Sequence, residues 1–125
     1  MSNALLEKTI LIVEDDHISR ELLHEILIPY KVIMIFANDG LEAIERCKEH
    51  TIDIILMDIH LPNMDGKSAL KEIRKFNEEV PVIAQTAFAM TGDREKYLSA
   101  GFDDYIAKPI NPDSLFQVLN NCLMK

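Results

Sequence analysis

The stretch Asp53-Ile54-Ile55-Leu56-Met57-Asp58-Ile59-His60-Leu61-Pro62-Asn63-Met64-Asp65-Gly66 decides the fold. Ile54 to Met57 is an apolar run too short for a helix, and it reads as a strand buried on both faces. Asp58 stands where that strand ends, and a turn-rich loop closed by Gly66 follows. In an open α/β sheet, ligands bind outside the carboxyl ends of the strands, so a carboxylate there is placed for chemistry. An aspartate at this point could equally cap the turn that follows. The rest of the chain bears on that choice.

The same pattern repeats outward from this stretch. Thr9 to Val13 is an apolar run ending in Glu14-Asp15-Asp16, a first strand and an acidic loop. His17 to Ile28 places Ile18, Leu22, Leu23, Ile26 and Leu27 near a 3.6 period, an amphipathic helix stopped at Pro29. Lys31 to Phe36, rich in β-branched residues, is the second strand. Asn38-Asp39-Gly40 is a turn whose Asp39 can cap the next helix, Leu41 to His50, with Leu41, Ile44 and Cys47 on one face. Asp53 to Met57 is the third strand. Lys67 to Phe76 is the third helix, with Leu70, Ile73 and Phe76 turned inward. Val80 to Ala84 is the fourth strand, and Thr91 to Ala100 is a helix ended by Gly101 as a C′ glycine. Asp104 to Ala107 is the fifth strand. Asn111 or Asp113 caps a last helix that runs to about Leu123.

Strands alternating with helices imply a parallel sheet covered on both faces, and right-handed crossovers restrict its topology. The fourth helix is the least apolar, with Tyr97 and Leu98 its only large apolar residues. A helix so weakly anchored shifts at low cost.

Composition sets the remaining bounds. The chain has 125 residues, 48% hydrophobic and 27% charged, which suits one ordinary globular domain with a substantial core. Ser2-Asn3-Ala4 reads as the scar of a cleaved tag, so residues 1–4 are set aside and 5–125 form the domain. The net charge of −8 counts against nonspecific binding to nucleic acid or to acidic membranes, and favours a cation or a partner with a basic face. No apolar run approaches the roughly 18 residues of a membrane span, and no signal-peptide pattern opens the chain. Cys47 and Cys122 lie far apart on apolar helix faces, as buried free thiols do, pointing to a reducing, cytoplasmic setting.

Four features fall at the carboxyl ends of different strands: Glu14 and Asp15, Asp58, Thr86, and Lys108. In a parallel sheet these ends share one edge, so all four can meet in one crevice. Crowded carboxylates repel one another, and a hard divalent cation such as Mg²⁺ relieves that repulsion. Lysine pairs with anions and threonine donates a hydroxyl hydrogen bond. A carboxylate beside a metal, a lysine and a hydroxyl suits formation of an aspartyl phosphate, with metal and lysine neutralising charge on the phosphoryl group. General acid–base catalysis would want a raised pKa, which nearby Mg²⁺ and Lys108 oppose.

On these residues the chain resembles the receiver domains of two-component response regulators. The resemblance rests on Ile10-Leu11-Ile12-Val13-Glu14-Asp15-Asp16, on Leu56 through Gly66 around Asp58, on Thr86-Ala87 and on Lys108-Pro109, and runs from about Lys8 to Leu123. It implies a flavodoxin-like (βα)5 fold with strand order 2-1-3-4-5. It implies that Asp58 accepts a phosphoryl group from a phosphohistidine on a sensor histidine kinase or a histidine phosphotransfer domain. Glu14, Asp15, Asp58 and the His60 backbone carbonyl would hold Mg²⁺, with Mn²⁺ an alternative, and Asp16 would stand outside the acidic pair. Thr86 and Lys108 would contact phosphoryl oxygens, and the Lys108-Pro109 peptide would be cis. Thr86 and Tyr105 would form the switch that alters the surface of the fourth helix, fifth strand and fifth helix. His60 and Phe88 occupy positions that tune loss of phosphate, and a bulky Phe88 would hinder the attacking water.

Other readings stand beside this one. His17, His24, His50 and His60 show no metal-ligand spacing, so His60 reads as a surface loop residue. Asp53 reads as the start of a strand and Asp65 as part of a turn with Gly66. Tyr105 could be simply a half-buried strand residue. A small phosphatase using Asp58 as nucleophile would want an aspartate where His60 stands. GxGxxG and GxxxxGK[ST] are absent, so a glycine-loop phosphate cradle is disfavoured. A degenerate receiver used only for docking would lack the acceptor, the acidic pair or the lysine, and this chain has all three. No DNA-binding segment follows the last helix, so the expectation is a free-standing regulator or the receiver of a hybrid histidine kinase. Ala84-Gln85-Thr86-Ala87-Phe88-Ala89 and Ala100 through Ile110 favour the hybrid kinase. Phosphorylation-dependent dimerisation is a further expectation from the family. The first helix is a candidate docking face for the donor.

Overall fold

The computed structural model describes residues 5–87 and 93–124. Five parallel strands, β1 (Thr9–Val13), β2 (Ile33–Ala37), β3 (Ile54–Asp58), β4 (Val82–Thr86) and β5 (Asp104–Ala107), form one sheet in the order β2-β1-β3-β4-β5. Five helices alternate with them: α1 (His17–Leu27), α2 (Gly40–Glu49), α3 (Gly66–Arg74), α4 (Asp93–Ser99) and α5 (Pro112–Leu123). The expected strand order is the one found.

Period-two alternation splits the sheet's side chains between two cores. Ile10, Ile12, Ile54, Leu56 and Ile83 face Leu23 and Leu27 of α1 and Leu115 and Leu119 of α5. Leu11, Val13, Ile55, Met57, Val82 and Ala84 face Ala43 of α2, Leu70 and Ile73 of α3, and Tyr97 of α4. Every residue of β3 and β4 is buried, whereas the edge strands β2 and β5 are only partly covered. Burial on both faces is why the central strands read as continuous apolar runs. Truncating one such residue to Ala costs about 2–5 kcal/mol.

Four helices begin on the same device. Asp16, Asp39, Asp65 and Asn111 each accept a hydrogen bond from the backbone N–H three residues on, at Ser19, Glu42, Ser68 and Ser114. Each such cap contributes about 1 kcal/mol. Asn111 is therefore the cap of α5, and Asp65 caps α3. Gly101, at φ +108°, ends α4 in the left-handed region that glycine tolerates.

Several local expectations are corrected. The chain after α1 forms a single 3₁₀ turn, Ile28–Tyr30, and Lys31 follows at φ 57° with its N–H on the Ile28 carbonyl. Pro29 lacks the N–H that an α ladder needs, so β2 starts at Ile33 rather than Lys31. Strand β4 begins at Val82 rather than Val80, because Pro81 cannot donate to the ladder, and Val82 N–H also donates to Asp103 Oδ2. Leu41 is half exposed, since the buried stripe of α2 runs through Gly40 and Ala43. Phe76 lies beyond the end of α3 and is exposed, with Lys48 Nζ 5.4 Å from its ring centre. Ile18 and Leu22 of α1 also face outward. The start of the fourth helix and Phe88 lie outside the described residues. Cys47 is half-buried and Cys122 buried, they are not joined in a disulfide, and burial pushes the Cys47 thiol up to about 11.

Candidate functional site

The chain runs from β1 outward to β2 on one side, and β3 lies on the other, so a crevice opens at the carboxyl ends of β1 and β3. Glu14 follows β1 directly and is fully buried, its N–H on the Ala37 carbonyl of β2. Asp58 is the last residue of β3 and is 5% exposed. Its Oδ1 accepts the His60 backbone N–H at 2.9 Å. Gly66 backs this turn: a Cβ there would lie 2.5 Å from the Asp58 carbonyl oxygen, so a larger residue would displace the backbone of Asp58.

Lys108 reaches in from beyond β5. Its Nζ donates to Glu14 Oε1 and to Asp58 Oδ2, each at 2.8 Å. Its backbone N–H donates to the Thr86 carbonyl at 2.8 Å, which ties the lysine to the end of β4. The Lys108–Pro109 peptide bond is cis. Thr86 is buried, and Tyr105 on β5 is half-buried with its ring 5.8 Å from that of Tyr97 on α4.

Electrostatics divide the two buried acids. Burial first, then the neighbouring Asp58 carboxylate, push the Glu14 carboxyl up to about 7, and Lys108 only partly offsets this. For Asp58 burial also acts upward, but the neighbouring Glu14 carboxyl, Lys108 and the His60 N–H outweigh it and hold the group below its usual range. Burial works against the Lys108 cation, and its bonds to Asp58 and Glu14 outweigh that and raise it. Asp58 is thus an ionised carboxylate facing a charged lysine, and so it is not suited to general acid catalysis.

Glu14, Asp15 and Asp58 each offer one oxygen, and the three atoms lie within 4.8 Å of one another. Glu14 Oε2 is buried with no hydrogen-bond partner among the described residues. Three carboxylates with an unpaired inward oxygen fit a hard cation such as Mg²⁺. Asp15 is exposed, leaving its side of the cluster open to solvent. Asp16 is not part of the cluster: its Oδ2 accepts from the N–H and the hydroxyl of Ser19 at the head of α1.

The structure therefore brings Glu14, Asp15, Asp58, Thr86 and Lys108 to one sheet edge. His60 meets Asp58 through its N–H, and its side chain is exposed. Sequence reasoning passed over Gln85, which is fully buried beside Thr86 and pairs in register with Asp58. The signal was available: a carboxamide interrupting the apolar run Val82-Ile83-Ala84. It also missed the clasp between Asn63 Nδ2 and Asp39 Oδ2, 2.7 Å long, which ties the loop after β3 to the head of α2.

Residues 10–120 match the family described as the response regulator receiver domain, and the chain belongs to that family. It is 36% identical over 120 residues to the polar-differentiation response regulator DivK of Brucella anthropi, covering 94% of this chain and 98% of that protein. It is 39% identical over 110 residues to the transcription factor SKN7 of Saccharomyces cerevisiae, covering 88% of this chain but only 18% of that protein. Among solved structures, it is similar to the receiver domain of the sensor histidine kinase PA1611 of Pseudomonas aeruginosa, which has a magnesium ion coordinated in its active-site cleft. That match has a TM-score of 0.87 and 36% identity, over 95% of this chain and 99% of that one. The Ssk1 receiver of S. cerevisiae, crystallised with the histidine phosphotransfer protein Ypd1, matches with a TM-score of 0.87 and 30% identity, over 96% of this chain and 91% of that one. This is a receiver domain of two-component signalling.

Proposed function

We propose that the domain is a phosphoacceptor in a phosphorelay, and that Asp58 takes a phosphoryl group from a phosphohistidine on a partner. The observation that carries this reading is the ionised Asp58 carboxylate held between Lys108 and the acidic cluster. A carboxylate oxygen of Asp58 forms the new O–P bond as the N–P bond to the donor imidazole breaks, and the electron pair leaves with that nitrogen. Mg²⁺ bound by Glu14, Asp15, Asp58 and the His60 carbonyl would neutralise charge on the phosphoryl oxygens. The Lys108 ammonium, already beside Asp58, is in reach of the same oxygens. Lys108 and Thr86 move as a unit because their backbones are bonded. Recruiting Thr86 to the phosphoryl group therefore pulls on β4 and β5 together. Tyr105 follows Thr86 inward along α4, and the surface of α4, β5 and α5 changes.

Helix α1 carries the docking face. Ile18 is 75% exposed and Leu22 44% exposed, beside the acidic loop that leads to Asp15. The donor is a histidine phosphotransfer domain or a sensor kinase. The parent chain is a hybrid histidine kinase, for which the motifs on either side of β4 and β5 are the support.

Incubation with Mg²⁺ and acetyl phosphate, read by intact mass, tests the acceptor. One added phosphate is expected, absent in Asp58→Asn and in excess EDTA. A protein that neither gains mass nor binds Mg²⁺ would return the domain to a docking role.

A further inference from the structure

Gln85 is fully buried, and neither Oε1 nor Nε2 of its carboxamide has a hydrogen-bond partner among the described residues. A carboxamide in that state costs free energy unless something polar meets it. Around it lies a chamber of about 120 Å³, lined by Ser19, Leu22 and Leu23 of α1 on one side and by Lys108, Pro109 and Ile110 on the other. That volume accommodates ordered water, for which Gln85, Ser19 and Lys108 supply polar partners. Lys108 has three N–H donors, and Glu14 and Asp58 take two of them. Gln85 also neighbours the acceptor in the sheet: it pairs in register with Asp58, and its carbonyl accepts the Ile59 N–H at 3.1 Å.

We infer that Gln85 is a positioning residue for Lys108: its carboxamide, bridged by water in the chamber they share, holds the lysine in place for phosphoryl transfer to Asp58. This rests on the phosphoacceptor reading above. The carboxamide accepts at Oε1 and donates at Nε2, so it can order water toward both the lysine and the backbone of the loop after β5. Its removal loosens the ammonium that faces Glu14 and Asp58, and small misplacements of such a group slow transfer steeply. Gln85 itself touches neither donor nor phosphoryl group.

Gln85→Met keeps the length of the side chain and removes both polar atoms. Its thermal midpoint should stay close to that of the wild type, because the side chain keeps its length and no hydrogen-bonding partner among the described residues is stranded by the change. Its rate of phosphorylation by acetyl phosphate at saturating Mg²⁺ should fall about tenfold. In a Lys108→Ala background the same substitution should change the residual rate less than about twofold, since the two residues act through one contact. A second readout is independent of turnover: the ¹⁵Nζ resonance of Lys108 should shift or broaden in Gln85→Met. A wild-type rate with an unmoved Lys108 resonance would overturn the inference while leaving the acceptor reading intact. So would a tenfold loss that persists without the lysine. A wild type that neither binds Mg²⁺ nor gains phosphate would remove both readings.

Discussion

Lys108 Nζ lies 2.8 Å from Asp58 Oδ2, although the two residues are 50 positions apart in sequence. The same ammonium is 2.8 Å from Glu14 Oε1, so one lysine pairs with two buried acids. It therefore competes with a divalent cation for the same carboxylates. Lys108→Ala should bind Mg²⁺ several-fold more tightly, by roughly 1 kcal/mol, and yet be phosphorylated at least about a hundredfold more slowly. Isothermal titration and intact-mass kinetics give the two numbers. Weaker Mg²⁺ binding in the variant would show that the lysine does not oppose the ion.

Gly66 tests the backbone at Asp58. Gly66→Ala sets a methyl group 2.5 Å from the Asp58 carbonyl oxygen, where the obstacle is main chain and cannot rotate away. The expected loss of stability is about 1–3 kcal/mol, and a lower midpoint in thermal melts should show it. Phosphorylation should slow with it. An unchanged melt would mean that the strand end yields more readily than its contacts imply.

Asp39 links pH to stability. The Glu42 N–H, and then the Asn63 carboxamide, hold its carboxyl below the usual range. A depressed folded pKa stabilises the fold at pH values above the unfolded value of about 4, and that contribution disappears as pH falls through the folded value. Asp39→Ala should cost about 1–2 kcal/mol at pH 7. The gap to the wild type should narrow below about pH 4 in denaturant melts. A gap independent of pH would assign the effect to packing.

Ile18 separates docking from folding. It is 75% exposed, so Ile18→Asp should leave stability within about 0.5 kcal/mol. Phosphorylation by acetyl phosphate should also be unaffected. Transfer from a phosphohistidine donor protein should slow about tenfold or more, because a charge would sit in an apolar contact. Equal transfer rates would move the docking face off α1.

The sequence on its own determined the alternation of strands and helices, because burial on both faces writes Ile10–Val13, Ile54–Met57 and Val82–Ala84 as short apolar runs. It also determined the candidate site, since the carboxyl ends of parallel strands must share an edge, and Glu14, Asp58, Thr86 and Lys108 each stand at one. It misplaced the start of β2 by two residues because the left-handed turn at Lys31 leaves no mark in a hydrophobic pattern. It turned Leu41 and Phe76 inward because periodicity does not say where a stripe is centred or where a helix stops. The resemblance already put Asp16 outside the acidic pair, and the tertiary structure decided how each acid is held: Glu14 is drawn inside against Ala37, Asp15 is left at the rim, and Asp16 caps α1. Only the tertiary structure left Gln85 buried, beside α1 and the loop after β5, without a hydrogen-bond partner among the described residues. Adjacent residues look alike in sequence, and what separates them is the solvent and the partners that the fold gives each.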